Sequence, residues 1–211
     1  MQFPDARILI FAKAPQPGRV KTRLAPCLGK QGAADFHAKC VRYAVDRLCA
    51  SRLAPVVLYA APDASADLFV ELAARYPVTL ATQQGDDLGE RMHRACREQL
   101  GEARPLLLVG ADAPALQPQH LRQALALLQE GRDLVMQPAE DGGYVMLGLA
   151  SDQPALFSDM PWGTDQVASA TRACCGELGL SLAELPLSWD LDRPQDLERL
   201  AELDDFNAFS G

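Results

Sequence analysis

Four short apolar runs, Arg7–Ala12, Val56–Tyr59, Val78–Ala81 and Leu106–Val109, alternate along the chain with segments of helical periodicity. Strands that are buried on both faces of a parallel sheet read as continuous apolar runs, and the crossovers between them need a dozen or more residues, usually a helix. The spacing therefore predicts βαβ units, with helices over about Gly29–Cys49, Ala66–Arg75, Leu88–Leu100 and Pro118–Glu130. Further on, strands are expected at Leu134–Gln137, Tyr144–Leu149 and Leu182–Leu187, with helices at Thr164–Leu178 and Pro194–Leu203. The turn Asp141-Gly142-Gly143 suits a hairpin, so one antiparallel pair is expected in a mixed, mostly parallel α/β sheet. No internal repeat or linker interrupts the 211 residues, which reads as a single domain over 1–211.

In open α/β sheets, ligands bind outside the carboxyl ends of the strands. The distinctive motifs of this chain follow predicted strands or lie in irregular loops. The first is Lys13-Ala-Pro-Gln-Pro-Gly18-Arg19-Val-Lys21-Thr-Arg23-Leu24. Lys13, Arg19, Lys21 and Arg23 crowd one loop, and Gly18 permits a close backbone approach. Arg grips phosphate bidentately and Lys acts as a point charge, so phosphate binding is preferred over a merely solvated basic loop. Between Asp5 and Asp35 there are six Lys or Arg and no carboxylate, although the whole chain carries a net charge of −8. The overall charge disfavours nucleic acid as a partner, while the local charge suits a small anion. The loop is neither a Walker A motif nor a G-x-G-x-x-G fingerprint.

Asp112, in Gly110-Ala111-Asp112-Ala113-Pro114, stands just past a buried strand. A carboxylate there suits a divalent cation, because Mg²⁺ takes one or two carboxylates plus phosphate oxygens and water. Its alternative is a turn residue before Pro114. In Gln137-Pro-Ala-Glu140-Asp141-Gly142-Gly143-Tyr144 the hairpin turn accounts for the glycines. Asp141 or Glu140 adds a carboxylate able to contact an acceptor and take a proton from its hydroxyl, and Gly142, Gly143 and Tyr144 fall on the same acceptor side. Asp192, in Trp189-Asp-Leu-Asp192-Arg193-Pro194, is either a helix-start acid or a second metal carboxylate opposite Asp112. Gln84 and Gly89, in the segment Gln83–Arg91, could contact a base. Trp162 and Thr164 could line an acceptor pocket, with Thr164 equally able to cap the next helix.

Six cysteines, Cys27, Cys40, Cys49, Cys96, Cys174 and Cys175, form no C-x-x-C pair, and His37, His93 and His120 stand singly. The cysteines read as reduced and mostly buried, the histidines as surface or packing residues, and no zinc site is expected. No apolar run approaches the roughly 20 residues that span a bilayer. The N-terminus leads straight into the first strand without a secretory pattern, so the expectation is a cytoplasmic protein away from membranes.

Together, FAKAPQPGRVKTRLAP, DLGERM, GADAP, PAEDGGYVMLGL, the WGT segment and DLDRPQDL resemble a bacterial family of uncharacterised proteins. Its members are labelled glycosyltransferases associated with radical-SAM or selenium-domain proteins, or with arsenosugar biosynthesis. That family resembles a branch of the GT-A nucleotide-diphospho-sugar transferases, whose relatives include sugar-nucleotide pyrophosphorylases and guanylyltransferases. The resemblance implies a three-layer, Rossmann-like GT-A fold and a phosphate role for Arg19, Lys21 and Arg23. It also implies a principal metal ligand at Asp112, a second at Asp192 and a base-reading Gln84. This chain departs from the family's pattern in carrying Ala111 and Ala113 beside Asp112, and Arg193 and Gln195 in the last motif.

The leading expectation is glycosyl transfer from a nucleotide sugar to a small-molecule acceptor. It uses Mg²⁺ or Mn²⁺ on Asp112, charge stabilisation by Lys21 and Arg23, and Asp141 at the acceptor. The alternatives are nucleotidyl transfer from an NTP to a phosphorylated small molecule and a non-catalytic nucleotide-binding protein. The sequence sets no oligomeric state.

Overall fold

A computed structural model describes residues 1–102 and 104–209. Seven strands form one sheet in the order β3-β2-β1-β4-β6-β5-β7. They are β1 (Arg7–Lys13), β2 (Val56–Ala61), β3 (Val78–Thr82), β4 (Leu106–Gly110), β5 (Leu134–Pro138), β6 (Tyr144–Leu149) and β7 (Leu182–Glu184). The helices are α1 (Ala25–Ser51), α2 (Asp67–Arg75), α3 (Leu88–Leu100), α4 (Pro118–Gln129), α5 (Val167–Leu178), α6 (Pro194–Arg199) and α7 (Asp204–Ala208).

Alternation along the strands sorts the core into two layers. Ile8, Ile10, Val56, Leu58, Leu107 and Val109 face α1, α2 and α4, through Val41, Val45, Phe69, Leu121 and Leu125. Leu9, Val57, Tyr59, Leu106, Leu108 and Leu147 face α3 and α5, through Met92, Cys96, Ala168 and Cys175. Helices on both faces bury the inner strands twice, which is why β2 is apolar and buried throughout, while the edge strand β3 leaves Thr79 exposed.

The differences from the sequence expectations have local causes. β6 inserts between β4 and β5 and runs antiparallel to both, so there are two antiparallel pairs where one was expected. Gly29, at φ 71°, interrupts α1 after an opening turn that begins beside Pro26, so the helix reaches further back than its periodicity suggested. β7 ends at Glu184 instead of Leu187; Pro186 has no N–H to give a ladder, and pairing resumes only as a bridge from Ser188 to Ala139. α5 starts at Val167 rather than Thr164. The last predicted helix, Pro194–Leu203, breaks into α6 and a 3₁₀ turn over Leu200–Glu202, and α7 follows beyond its end.

α7 was not anticipated, and its anchor is tertiary. Phe206 is buried with Cys40 and Tyr43 of α1 and with Leu191. This third cluster ties the C-terminal helix to the segment holding Asp192. Among the described residues, no helix is long and apolar enough to cross a membrane.

Candidate active site

From β1 the chain winds outward through β2 to β3, then returns by α3 to β4 on the other side of β1. β1 and β4 are thus neighbours across a topological switch point, and the loops at their carboxyl ends diverge to open a crevice. The loop after β1 carries Lys21 and Arg23, and the loop after β4 carries Asp112. A backbone hydrogen bond from Leu191 N to Asp112 O (2.9 Å) staples the Asp190-Leu191-Asp192 segment to the same place. Leu191 is fully buried, which holds the segment down while its flanking carboxylates stay only half-buried.

The side chains converge. Lys21 Nζ donates to Asp112 Oδ2 at 2.8 Å and lies 3.9 Å from Asp192 Oδ1. The Arg23 guanidinium pairs with the other oxygen of Asp192. Residues 91 and 171 positions apart thereby share one ammonium. Burial by itself would lower the Lys21 pKa, but the charge and hydrogen bond of Asp112 outweigh it and hold the ammonium above its ordinary value. Burial likewise pushes Asp112 up, and Lys21 reverses that, leaving the carboxyl below its usual range.

Asp190 is the functional candidate that sequence reading passed over. Burial, then the charges of Asp112, Asp141 and Asp192, raise its carboxyl to about 7 against the opposing pull of Lys21. The Asp-x-Asp spacing was the available signal, but nothing in the sequence said that Asp112 and Asp141 would come near it. A carboxyl raised in the fold opposes folding as it ionises: the unfolded chain releases the proton near 3.8, the folded one only near 7. Stability from this group therefore falls as pH rises between those values. Asp190→Asn is expected to melt at the wild-type temperature near pH 4 and progressively above it toward pH 7, levelling off beyond. A constant difference in melting temperature across that range would refute the assignment.

Near the same crevice, His37 is buried, and its Nε2–H donates to the Lys13 carbonyl at 2.9 Å. Its Nδ1 is buried without a partner. Burial lowers its pKa, aided by Lys21 and Lys13, so the imidazole is neutral. The Lys13 and Arg19 side chains lie on exposed residues at the rim, and Gly18 turns the loop at φ 76°.

The acceptor-side residues form a second group. Asp141 Oδ1 accepts from Gly143 N at 2.9 Å, closing the turn. Gly142, at φ 87°, packs so closely on Asp165 that an added Cβ would run into the Asp165 carbonyl. This contact joins the Asp-Gly-Gly turn to the segment after Trp162. Glu140 makes a bidentate pair with Arg199 (2.7 and 3.0 Å), whose guanidinium covers the Trp189 ring at 4.6 Å. The Thr164 hydroxyl donates to Pro161 O and accepts from Gln166 N, so it shapes the turn ahead of α5 and does not cap the helix. The Tyr144 hydroxyl is buried in the α3 layer without a partner.

The base-side residues separate. Gly89 is buried where an added Cβ would meet the Phe157 carbonyl and the Trp162 indole, so it allows α3 to touch the Trp162 segment. Gln84 lines a groove with His93, Arg94 and Arg97 of α3, away from the Lys21–Asp112 cluster. Gln83 reaches the sheet edge instead, donating to the Ala12 and Tyr59 carbonyls and bridging β1 to β2.

Among the described residues, no three His, Cys, Asp or Glu side chains form a ready metal cage. The chemistry of the donors still suits a hard cation: two carboxylates from separate loops face one point, which the Lys21 ammonium occupies.

Residues 44–164 match a family described as uncharacterized protein conserved in bacteria, DUF2064. A solved structure from Desulfovibrio desulfuricans G20, provisionally described as a nucleotide-diphospho-sugar transferase, is 30% identical. The match covers 98% of this chain and 92% of that one, with a TM-score of 0.83. A cytidylyltransferase from Leptospira borgpetersenii is 15% identical over 93% of this chain and 85% of that one, with a TM-score of 0.62. Glucosyl-3-phosphoglycerate synthase from Mycobacterium tuberculosis, in complex with Mn²⁺, UDP and glucosyl-3-phosphoglycerate, is 12% identical. There the coverage is 93% of this chain and 75% of that one, with a TM-score of 0.55. No curated protein matches the chain in sequence. The fold is that of the nucleotide-diphospho-sugar transferases, an α/β arrangement of the GT-A type.

Proposed function

The chain belongs to the DUF2064 family of uncharacterized proteins conserved in bacteria, and we propose from its site that it is a glycosyltransferase using a nucleoside-diphosphate sugar as donor. The observation that carries this reading is the convergence of Asp112 and Asp192 on one cation, beside Arg23, at the crevice between β1 and β4. A diphosphate needs cationic side chains on one flank and a carboxylate-held ion on the other, and this crevice has the residues for both.

Lys21 and Arg23 bind the phosphate oxygens and stabilise the charge that grows on the leaving diphosphate. Lys13 and Arg19 extend the cationic rim toward the phosphates. Asp112 and Asp192 would hold Mg²⁺ or Mn²⁺, and an ion bound there supplies Lewis-acid neutralisation of the leaving group. Asp141, exposed beside the Trp162 and Thr164 turn, positions a small-molecule acceptor and takes the proton from its attacking hydroxyl. In this reading the protein works as one domain over 1–211, in the cytoplasm, as a relative of the glycosyltransferases labelled radical-SAM or selenodomain-associated.

The abundance of cations in the loop after β1 also suits a triphosphate. That favours nucleotidyl transfer to a phosphorylated acceptor as the second reading, with the same residues acting at the α-phosphorus. A thermal-shift panel of nucleoside triphosphates and nucleotide sugars, with and without Mn²⁺, separates them. Ligands that bind the folded state raise the midpoint by mass action. A metal-dependent shift with one nucleotide sugar is expected. A shift confined to triphosphates, followed by pyrophosphate release in the presence of an acceptor, would replace the leading reading with the second.

A further inference from the structure

The ammonium between the two carboxylates is buried and tightly held. The Lys21 side chain is 5% exposed, while that of Asp112 is 37% exposed. The Lys21 backbone has φ 44°, in the left-handed region that residues with a Cβ seldom occupy. Its carbonyl accepts from Leu24 N at 2.9 Å, so the turn that carries it is closed. The Cys40 thiol offers no substitute anion, since burial pushes it up to about 12 and leaves it neutral, and the Asp190 carboxyl under the pull of Lys21 is held toward its neutral form by burial and its acidic neighbours. The adjacent His37 is neutral as well. Lys21 thus depends on Asp112 and Asp192 for its counter-charge.

Two consequences follow for ligands arriving singly. A divalent cation alone must displace Lys21 from between its own ligands and leave a buried ammonium unpaired, which is strongly unfavourable. A diphosphate alone meets a lysine already committed to a carboxylate. Arriving together they resolve both difficulties, because the diphosphate receives Lys21 and Arg23 and releases Asp112 and Asp192 to the ion. We infer that Lys21 is an internal counter-ion that makes metal and diphosphate binding mutually dependent, a positioning residue that changes partner from Asp112 to substrate phosphate. Coupling of this kind is reciprocal, so each ligand tightens the other by the same factor. The inference rests on the reading of this cluster as a cation–diphosphate site.

The test is a gain of binding. Calorimetric titration of Mn²⁺, without nucleotide, compares the wild type with Lys21→Met, and with Lys30→Met as a control for the loss of one nearby positive charge. Inorganic pyrophosphate is then titrated with and without Mn²⁺. Lys21→Met is expected to bind Mn²⁺ alone about tenfold or more tightly than wild type or the control, and to lose most of the mutual enhancement with pyrophosphate. Lys21→Gln, which ends in a neutral amide one atom short of the ammonium and can still donate toward a carboxylate, provides the same comparison should the Met variant fail to fold by circular dichroism. If the Lys21 variants bind Mn²⁺ no better than wild type, while wild type still binds Mn²⁺ and pyrophosphate together, the counter-ion role is overturned and the site reading survives. If no protein binds Mn²⁺ under any condition, the metal reading and the inference fall together.

Discussion

Asp112→Asn is expected to abolish metal-dependent nucleotide binding and to lower turnover by roughly 10²–10³-fold, while the unliganded protein keeps its fold with a lowered melting midpoint, because Lys21 loses its nearest counter-charge. The size follows from the several kcal/mol of transition-state charge stabilisation that a bound cation supplies, at about 1.4 kcal/mol per tenfold in rate. The fold is kept because asparagine is close in shape to aspartate, its amide oxygen still accepts from Lys21 Nζ, and Asp192 remains as a counter-charge 3.9 Å away. The staple from Leu191 N goes to the backbone oxygen of residue 112, which the substitution does not touch. Normal stabilisation of this variant by Mn²⁺ with a nucleotide would show that the ion, where one is used, is held elsewhere.

Phe206→Ala is expected to produce the largest loss of stability among conservative truncations near the site. Phe206 is 1% exposed and meets the Tyr43 ring edge-to-face at 5.0 Å, with Phe36 at 6.1 Å and Lys39 Nζ at 4.9 Å from its centroid. Emptying such a position costs about 3–5 kcal/mol, the lost transfer of the ring plus the cavity left behind. For a chain of this size that lowers the melting midpoint by about 10 °C. The effect reaches the site because Leu191 shares the cluster, and Asp190 and Asp192 flank Leu191. Weaker Mn²⁺-nucleotide binding should therefore accompany the lower midpoint. An unchanged midpoint in calorimetry would mean that α7 lies outside the cooperative unit, and the anchoring role assigned to it would be withdrawn.

Much of the sheet was legible because its signals are local. Leu88–Leu100 and Tyr144–Leu149 have the boundaries expected from helical periodicity and from the Asp-Gly-Gly turn, and Asp87 caps the helix by accepting from Glu90 N. The Lys21 loop and Asp112 were legible for a different reason: charge after an apolar strand is conspicuous, and strand ends are where such sheets bind. Less could be read where a residue's role depends on its neighbours in space. Gly89 looked like part of a nucleotide motif, and its tight contact with Trp162 has no signature along the chain. Gln83 and Gln84 are adjacent, yet one bridges two strands and the other lines the α3 groove.

The sequence by itself determined the strand–helix alternation, the cationic loop and the carboxylates available to face it, because periodicity and residue chemistry are properties of short segments. Only the tertiary structure decided that β6 lies between β4 and β5, that one lysine is shared by Asp112 and Asp192, and that Asp190 is crowded by three other carboxylates. Those outcomes arise from contacts between segments tens of residues apart. Their energies come from burial and from electrostatics that strengthens as water is excluded, and neither exists until the chain has closed around them.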